Sequence, residues 1–138
     1  MKGRLLLDTH AIIWMFSDGA LSDAAASAID EDWSLGRPLL VSPMSAWEIG
    51  MLVRKGRIRL PTTPLRWIRA VLETPGVALT DLSVEALVDA PFLPENALRD
   101  PVDQILVSTA RTADLVLITR DEPILRYGAA GHVRVIAC

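Results

Sequence analysis

The chain has 138 residues, 51% of them hydrophobic, and a formal net charge of −3. That length fits one domain over 1–138, the apolar fraction argues against disorder, and no apolar run is long enough to span a membrane. One cysteine (Cys138) and two histidines (His10 and His132) exclude an internal disulfide, a cysteine-rich zinc site and a multi-histidine metal site.

Only Leu5 to Leu7 separates the basic N-terminus from Asp8, too short an apolar stretch for a signal peptide. A soluble, cytoplasmic protein is therefore expected. Leu5-Leu6-Leu7 reads as a strand buried on both faces. It ends abruptly at Asp8-Thr9-His10, and Ala11 to Phe16 turn helical. Ser22 caps a second helix over Ala24 to Leu35, which Gly36-Arg37-Pro38 ends. Leu39-Leu40-Val41 is a second short strand. Ser42-Pro43 opens a helix to about Lys55, and Thr63-Pro64 opens another to about Glu73.

Val77-Ala78-Leu79 reads as a third strand, and Ser83 to Leu87 as a short helix. Pro91 to Arg99 reads as a loop. Asp100-Pro101 starts a helix to about Ala113, and Leu115 to Thr119 is the clearest strand. A short helix to Tyr127 and a strand over Val133 to Ile136 follow. Strands alternating with helices predict an α/β fold, a central mostly parallel sheet with helices on both faces.

Carboxylates stand where such a fold gathers ligands, at the carboxyl ends of strands. Asp8 follows the first strand and Asp121 the clearest one, and either could simply cap the next helix. Asp100 and Asp103, three apart, share a helical face, though Asp100 before Pro101 is also a good cap. Glu48 is the only charge in Met44 to Val53, a stretch apolar nearly all round and so predicted to be buried. A capping box from Ser45 would explain Glu48 only if the helix began there, and Pro43 places the start earlier. Carboxylates gathered in one cleft repel, and they coexist with a cation among them. With all-oxygen ligands that cation is Mg²⁺ or Mn²⁺.

Taken together the motifs resemble those of PIN domains of the VapC toxin type: Leu5-Leu6-Leu7-Asp8-Thr9-His10, Ser45-Ala46-Trp47-Glu48-Ile49 with Gly56-Arg57, Arg99-Asp100-Pro101-Val102-Asp103, and Ile118-Thr119-Arg120-Asp121. They come in family order and cover essentially the whole chain. The resemblance implies a three-layer PIN domain and a metal-dependent endoribonuclease that hydrolyses RNA with metal-activated water. It implies that Asp8, Glu48, Asp103 and Asp121 hold Mg²⁺ or Mn²⁺, with Asp100 as an extra acidic position and Thr9 and Thr119 as supporting hydroxyls. It also implies a VapB-like antitoxin partner and a homodimer. Leu98 and Gln104 depart from the family's pattern, where histidine and arginine are common.

From Ile49 to Leu72 there is no acid, but there are Arg54, Lys55, Arg57, Arg59, Arg66 and Arg69. Arg54, Lys55, Arg57 and Arg59 are candidate RNA-phosphate contacts, the alternative being a solvated helical face. Trp47 and Trp67 could stack on bases but are expected to pack in the core. Trp14, Met15, Phe16 and Trp33 are expected to pack helices, and His10 to be structural. Two other readings of the fold are a phospho-acceptor receiver domain and a silent PIN-fold scaffold. The receiver needs a lysine after its last strands, and the only lysines are Lys2 and Lys55. A DNA-directed nuclease with the same metal chemistry is a third reading.

Overall fold

Strand β1 (Leu5–Leu7) opens the computed structural model, which describes residues 3–138. Helices α1 (Thr9–Met15) and α2 (Asp23–Ser34) lead to β2 (Leu39–Val41). Helices α3 (Pro43–Arg54) and α4 (Pro64–Glu73) lead to β3 (Val77–Leu79), and α5 (Val84–Asp89) and α6 (Pro101–Thr112) to β4 (Val116–Thr119). Helix α7 (Glu122–Ala129) then precedes β5 (Val135–Ala137).

The helix starts follow local chemistry. Ser22 accepts from the Ala25 N–H, Ser42 from Met44 and Thr63 from Arg66, each filling an otherwise orphaned helical donor. Proline sits in the first turn of α3, α4, α6 and α7, where no backbone donor is needed. The segment expected as a loop after α5 instead forms two 3-10 turns, Ala90–Phe92 and Pro94–Asn96. There Glu95 takes a positive φ, and the Tyr127 hydroxyl donates to the Pro94 carbonyl at 2.6 Å. The last strand begins at Val135, two residues later than the sequence predicts. Val133 is buried against the core that contains α7, and only beyond it does the chain pair with β4.

All strand pairs are parallel, in the order β3-β2-β1-β4-β5. Side chains alternate between the faces. Leu5, Leu7, Leu39, Val41 and Ile118 pack with α1 to α4 on one face. Leu6, Leu40 and Leu117 pack with α6 and α7 on the other. The fold is thus a three-layer α/β sandwich. Among the described residues no helix is long and apolar enough to cross a membrane.

This strand order decides where the site lies. From β1 the chain winds outward to β3, then returns across the sheet to β4. The winding direction reverses between β1 and β4, and the crevice at such a switch point opens at the strands' carboxyl ends. Helices that follow a strand begin at that edge. Helix α6, which must descend to reach the start of β4, begins there as well. Asp8, Asp100, Asp103 and Asp121 therefore all reach one edge of the sheet.

Candidate active site

Asp8 occupies the cap position of α1, with extended backbone (φ −65°, ψ 155°), yet its side chain makes no cap bond. Its own N–H donates to the Ile118 carbonyl at 2.9 Å, which carries the β1–β4 ladder into the site. The Thr119 hydroxyl donates to Asp8 Oδ2 at 2.8 Å and accepts from the Asp121 N–H at 3.0 Å. Thr119 thus fixes one oxygen of Asp8 and the backbone under Asp121. Asp8 is 1% exposed, and its Oδ1 is buried with no hydrogen-bond partner. A buried carboxylate oxygen left bare is costly and needs a reason. The cap reading of Asp8 supplies none.

Asp100 and Asp121 do cap their helices. Asp100 Oδ1 accepts from the Val102 N–H at 2.8 Å and the Asp103 N–H at 3.4 Å. Asp121 Oδ2 accepts from the Ile124 N–H at 3.1 Å. In each, one oxygen is committed to the helix and the other is not.

Glu48 lies well inside α3, since the helix starts at Pro43, and it is only 6% exposed. The capping-box alternative fails on this geometry. Ser45 instead shares a 2.9 Å hydrogen bond with the Thr9 hydroxyl, both fully buried, which ties α3 to the end of β1. Ser45 is not among the site residues expected from sequence; its signals are its place three residues before Glu48, on the same helical face, and at the head of the second motif.

The electrostatics show which carboxylates share a field. Burial pushes the Asp103 carboxyl up to about 8, and the charges of Asp8, Asp100, Asp121 and Glu48 push in the same direction. Burial raises Asp8 to about 6, against the lowering pull of Thr119, His10 and the Thr9 N–H, with Glu48 adding to the rise. Five carboxylates thus repel one another across one crevice. Among the described residues, no group of three or more His, Cys, Asp or Glu side chains stands close enough together, as placed, to form a ready metal cage. The donor set nonetheless fits a hard divalent cation in kind: all ligands are oxygens, Asp8 Oδ1 is bare, and the mutual repulsion is of the sort a cation relieves.

Of the basic segment, Lys55 and Arg57 line the same cavity of about 380 Å³ as Glu48 and Asp100. Arg54 and Arg59 are exposed and do not line it. Among the described residues none of the six cations in that segment forms an ion pair. Trp67 is buried as expected, but Trp47 is 58% exposed and lines the cavity, contrary to its expected core role. The core side of α3 is already filled by Ile49 and Leu52. Trp14 and Trp33 are likewise only half-buried. The Arg120 guanidinium lies 4.0 Å over the Trp14 ring, while the Trp33 indole donates to the Gly76 carbonyl at 2.8 Å. Gln104, a departure from the family pattern, donates to the Leu98 carbonyl at 2.7 Å and so braces the turn before Asp100.

The model of one protein family, the PIN domain, matches residues 5–130. A comparison with curated proteins found no match. Among solved structures, VapBC2 from Rickettsia felis, bound to a DNA fragment from its promoter, is similar with a TM-score of 0.70 at 12% identity, over 99% of this chain and 98% of that one. DNA-bound VapBC from Salmonella typhimurium gives 0.66 at 16%, covering 98% of each chain. VapBC-1 from nontypeable Haemophilus influenzae gives 0.65 at 16%, over 99% of this chain and 98% of that one.

Proposed function

The chain belongs to the PIN domain family, and from that premise we propose that it is a metal-dependent endoribonuclease, the toxin of a toxin–antitoxin pair. The observation that carries the proposal is Asp8, whose Oδ1 is buried without a partner while Thr119 holds Oδ2, amid carboxylates that raise Asp103. A crevice that concentrates negative charge at a strand switch point suits a divalent cation and a phosphodiester. The similarity to structures solved as VapBC assemblies supports an antitoxin partner, and the homodimer stays an expectation from the family resemblance.

Asp8, Glu48, Asp103 and Asp121 would hold Mg²⁺ or Mn²⁺, with Asp100 at the rim. When bound, the cation would lower the pKa of the attacking water and offset charge developing on the phosphate. The chain's own groups position these ligands. Thr119 pins Asp8 Oδ2 and leaves Oδ1 without a partner. The first turn of α7 holds one oxygen of Asp121. The Thr9–Ser45 bond locks α3 against β1, fixing the helix that carries Glu48. Lys55 and Arg57, beside Glu48 and Asp100, would take phosphates that flank the cleaved one.

The test uses the purified full chain with labelled single-stranded RNA and DNA. RNA should be cut in Mn²⁺, cutting should stop in EDTA, and Asp103→Asn should lower the rate at least about a hundredfold. Absence of cleavage by the wild type would leave a binding scaffold. Preferential cutting of DNA would replace the ribonuclease reading with a deoxyribonuclease one.

A further inference from the structure

We infer that Trp47 is a base-stacking residue, which seats one nucleotide of the substrate in the α3–α6 cavity beside the acidic crevice. This rests on the nuclease reading above and adds to it the residue that grips a base.

The inference starts from the anatomy of α3. Its core side is Ser45, Glu48, Ile49 and Leu52, all buried. Met44, Trp47 and Met51, at helical spacings of three and four, form a second apolar row that faces the cavity instead. An indole 58% exposed on such a row is a poor use of apolar surface unless something covers it. Trp14 shows the contrast. Its ring is covered by Arg120 and its N–H donates to the Ala20 carbonyl at 2.8 Å. Among the described residues Trp47 takes part in no aromatic or cation–π pair.

The walls around Trp47 select the occupant. Lys55 and Arg57 line the same cavity and are free of ion pairs among the described residues. Glu48 and Asp100 form its border with the crevice. An aromatic plane, two free cations and an adjoining set of carboxylates match, in turn, a base, the phosphates beside it and the phosphodiester to be cut. An apolar peptide would use the indole and leave both cations idle. Stacking serves a base splayed out of a helix, since a paired base presents no face to the indole. The cavity therefore favours an unpaired nucleotide.

The experiment measures binding in EDTA, where no cleavage occurs, of a fluorescein-labelled single-stranded oligoribonucleotide to wild type, Trp47→Leu and Trp47→Phe. Inorganic polyphosphate serves as a base-free competitor. Trp47→Leu should weaken oligonucleotide binding about ten- to a hundredfold, Trp47→Phe should stay within a few-fold, and polyphosphate binding should not change. In Mn²⁺, Trp47→Leu should raise KM more than it lowers kcat. Equal oligonucleotide affinity for wild type and Trp47→Leu, with cleavage intact, would overturn this inference and leave the nuclease reading standing. A parallel loss of polyphosphate binding would overturn stacking in favour of charge alone. A loss confined to complex formation with a co-expressed antitoxin would assign the groove to a peptide and equally overturn it. A wild type that neither binds nor cuts RNA would bring down the nuclease reading itself.

Discussion

Replacing Asp8 by Asn tests the acidic crevice through stability, without reference to catalysis. The Asp8 carboxyl is raised to about 6, mainly by burial. A raised acid binds its proton more readily when folded than when unfolded. Folded chains therefore hold more protons between about pH 4 and 6, and stability falls as pH rises through that window, levelling off above it. The two-unit rise corresponds to about 3 kcal/mol of destabilisation at neutral pH, of which ~2 kcal/mol is lost between about pH 4.5 and pH 8. Asn keeps an acceptor for Thr119 but carries no charge. Any penalty for an imperfectly satisfied amide where Asp8 Oδ1 was bare is the same at every pH, so the difference in pH trend reports the Asp8 charge together with the rise it causes in Asp103. The assay is urea unfolding in EDTA at both pH values. The wild type should lose at least ~2 kcal/mol more than Asp8→Asn, a midpoint shift of about 1 M or more for a domain of this size. Saturating Mn²⁺ should then stabilise the wild type by about 3 kcal/mol at a hundredfold excess over Kd, and the variant far less. Parallel pH trends for the two proteins would refute the buried-charge argument, and equal stabilisation by Mn²⁺ would remove Asp8 from the ligand set.

Asp32 offers a control away from the crevice. It is 2% exposed, and its Oδ1 lies 3.3 Å from Arg4 and 3.5 Å from Arg37. Because both arginines are partly solvated, Asp32→Asn should destabilise by about 1–3 kcal/mol, unaffected by Mn²⁺ in a thermal melt. The basic wall predicts a salt effect: Lys55→Ala with Arg57→Ala should flatten the dependence of log K for RNA on log salt by about 1–2 units of slope, as two phosphate contacts are lost. Arg54→Ala with Arg59→Ala should leave that slope nearly unchanged, since neither lines the cavity.

Much of the fold was legible because its signals are local. Three-residue apolar runs locate β1, β2 and β3, and Ser42-Pro43, Thr63-Pro64 and Asp100-Pro101 locate the starts of α3, α4 and α6, without any knowledge of what lies across the sheet. Glu48 was legible for a similar reason: a lone charge among apolar helical positions needs a buried partner. What could not be read depends on neighbours distant in sequence. Whether Asp8 caps its own helix or joins the crevice is decided by Thr119, 111 residues away, which claims its carboxylate. The exposure of Trp47 is decided by Ile49 and Leu52 filling the core side of α3, while hydropathy alone marks all three as buried. The contact of Arg120 with Trp14 exists only because β4 lies next to β1.

That adjacency also sets when the crevice can exist. The ladder between β1 and β4 joins the first strand of the chain to the fourth, and its last bond, from Asp8 to Ile118, lies inside the site. During synthesis Asp8 emerges early, but the strand that pins it comes more than a hundred residues later. A product broken off before Ile118 keeps four of the five acidic groups, but it lacks Asp121 and the clamp that orients Asp8. Closing so long a loop is slow compared with forming local helices. The order of chain growth thus holds back an assembled centre until β4 has been made.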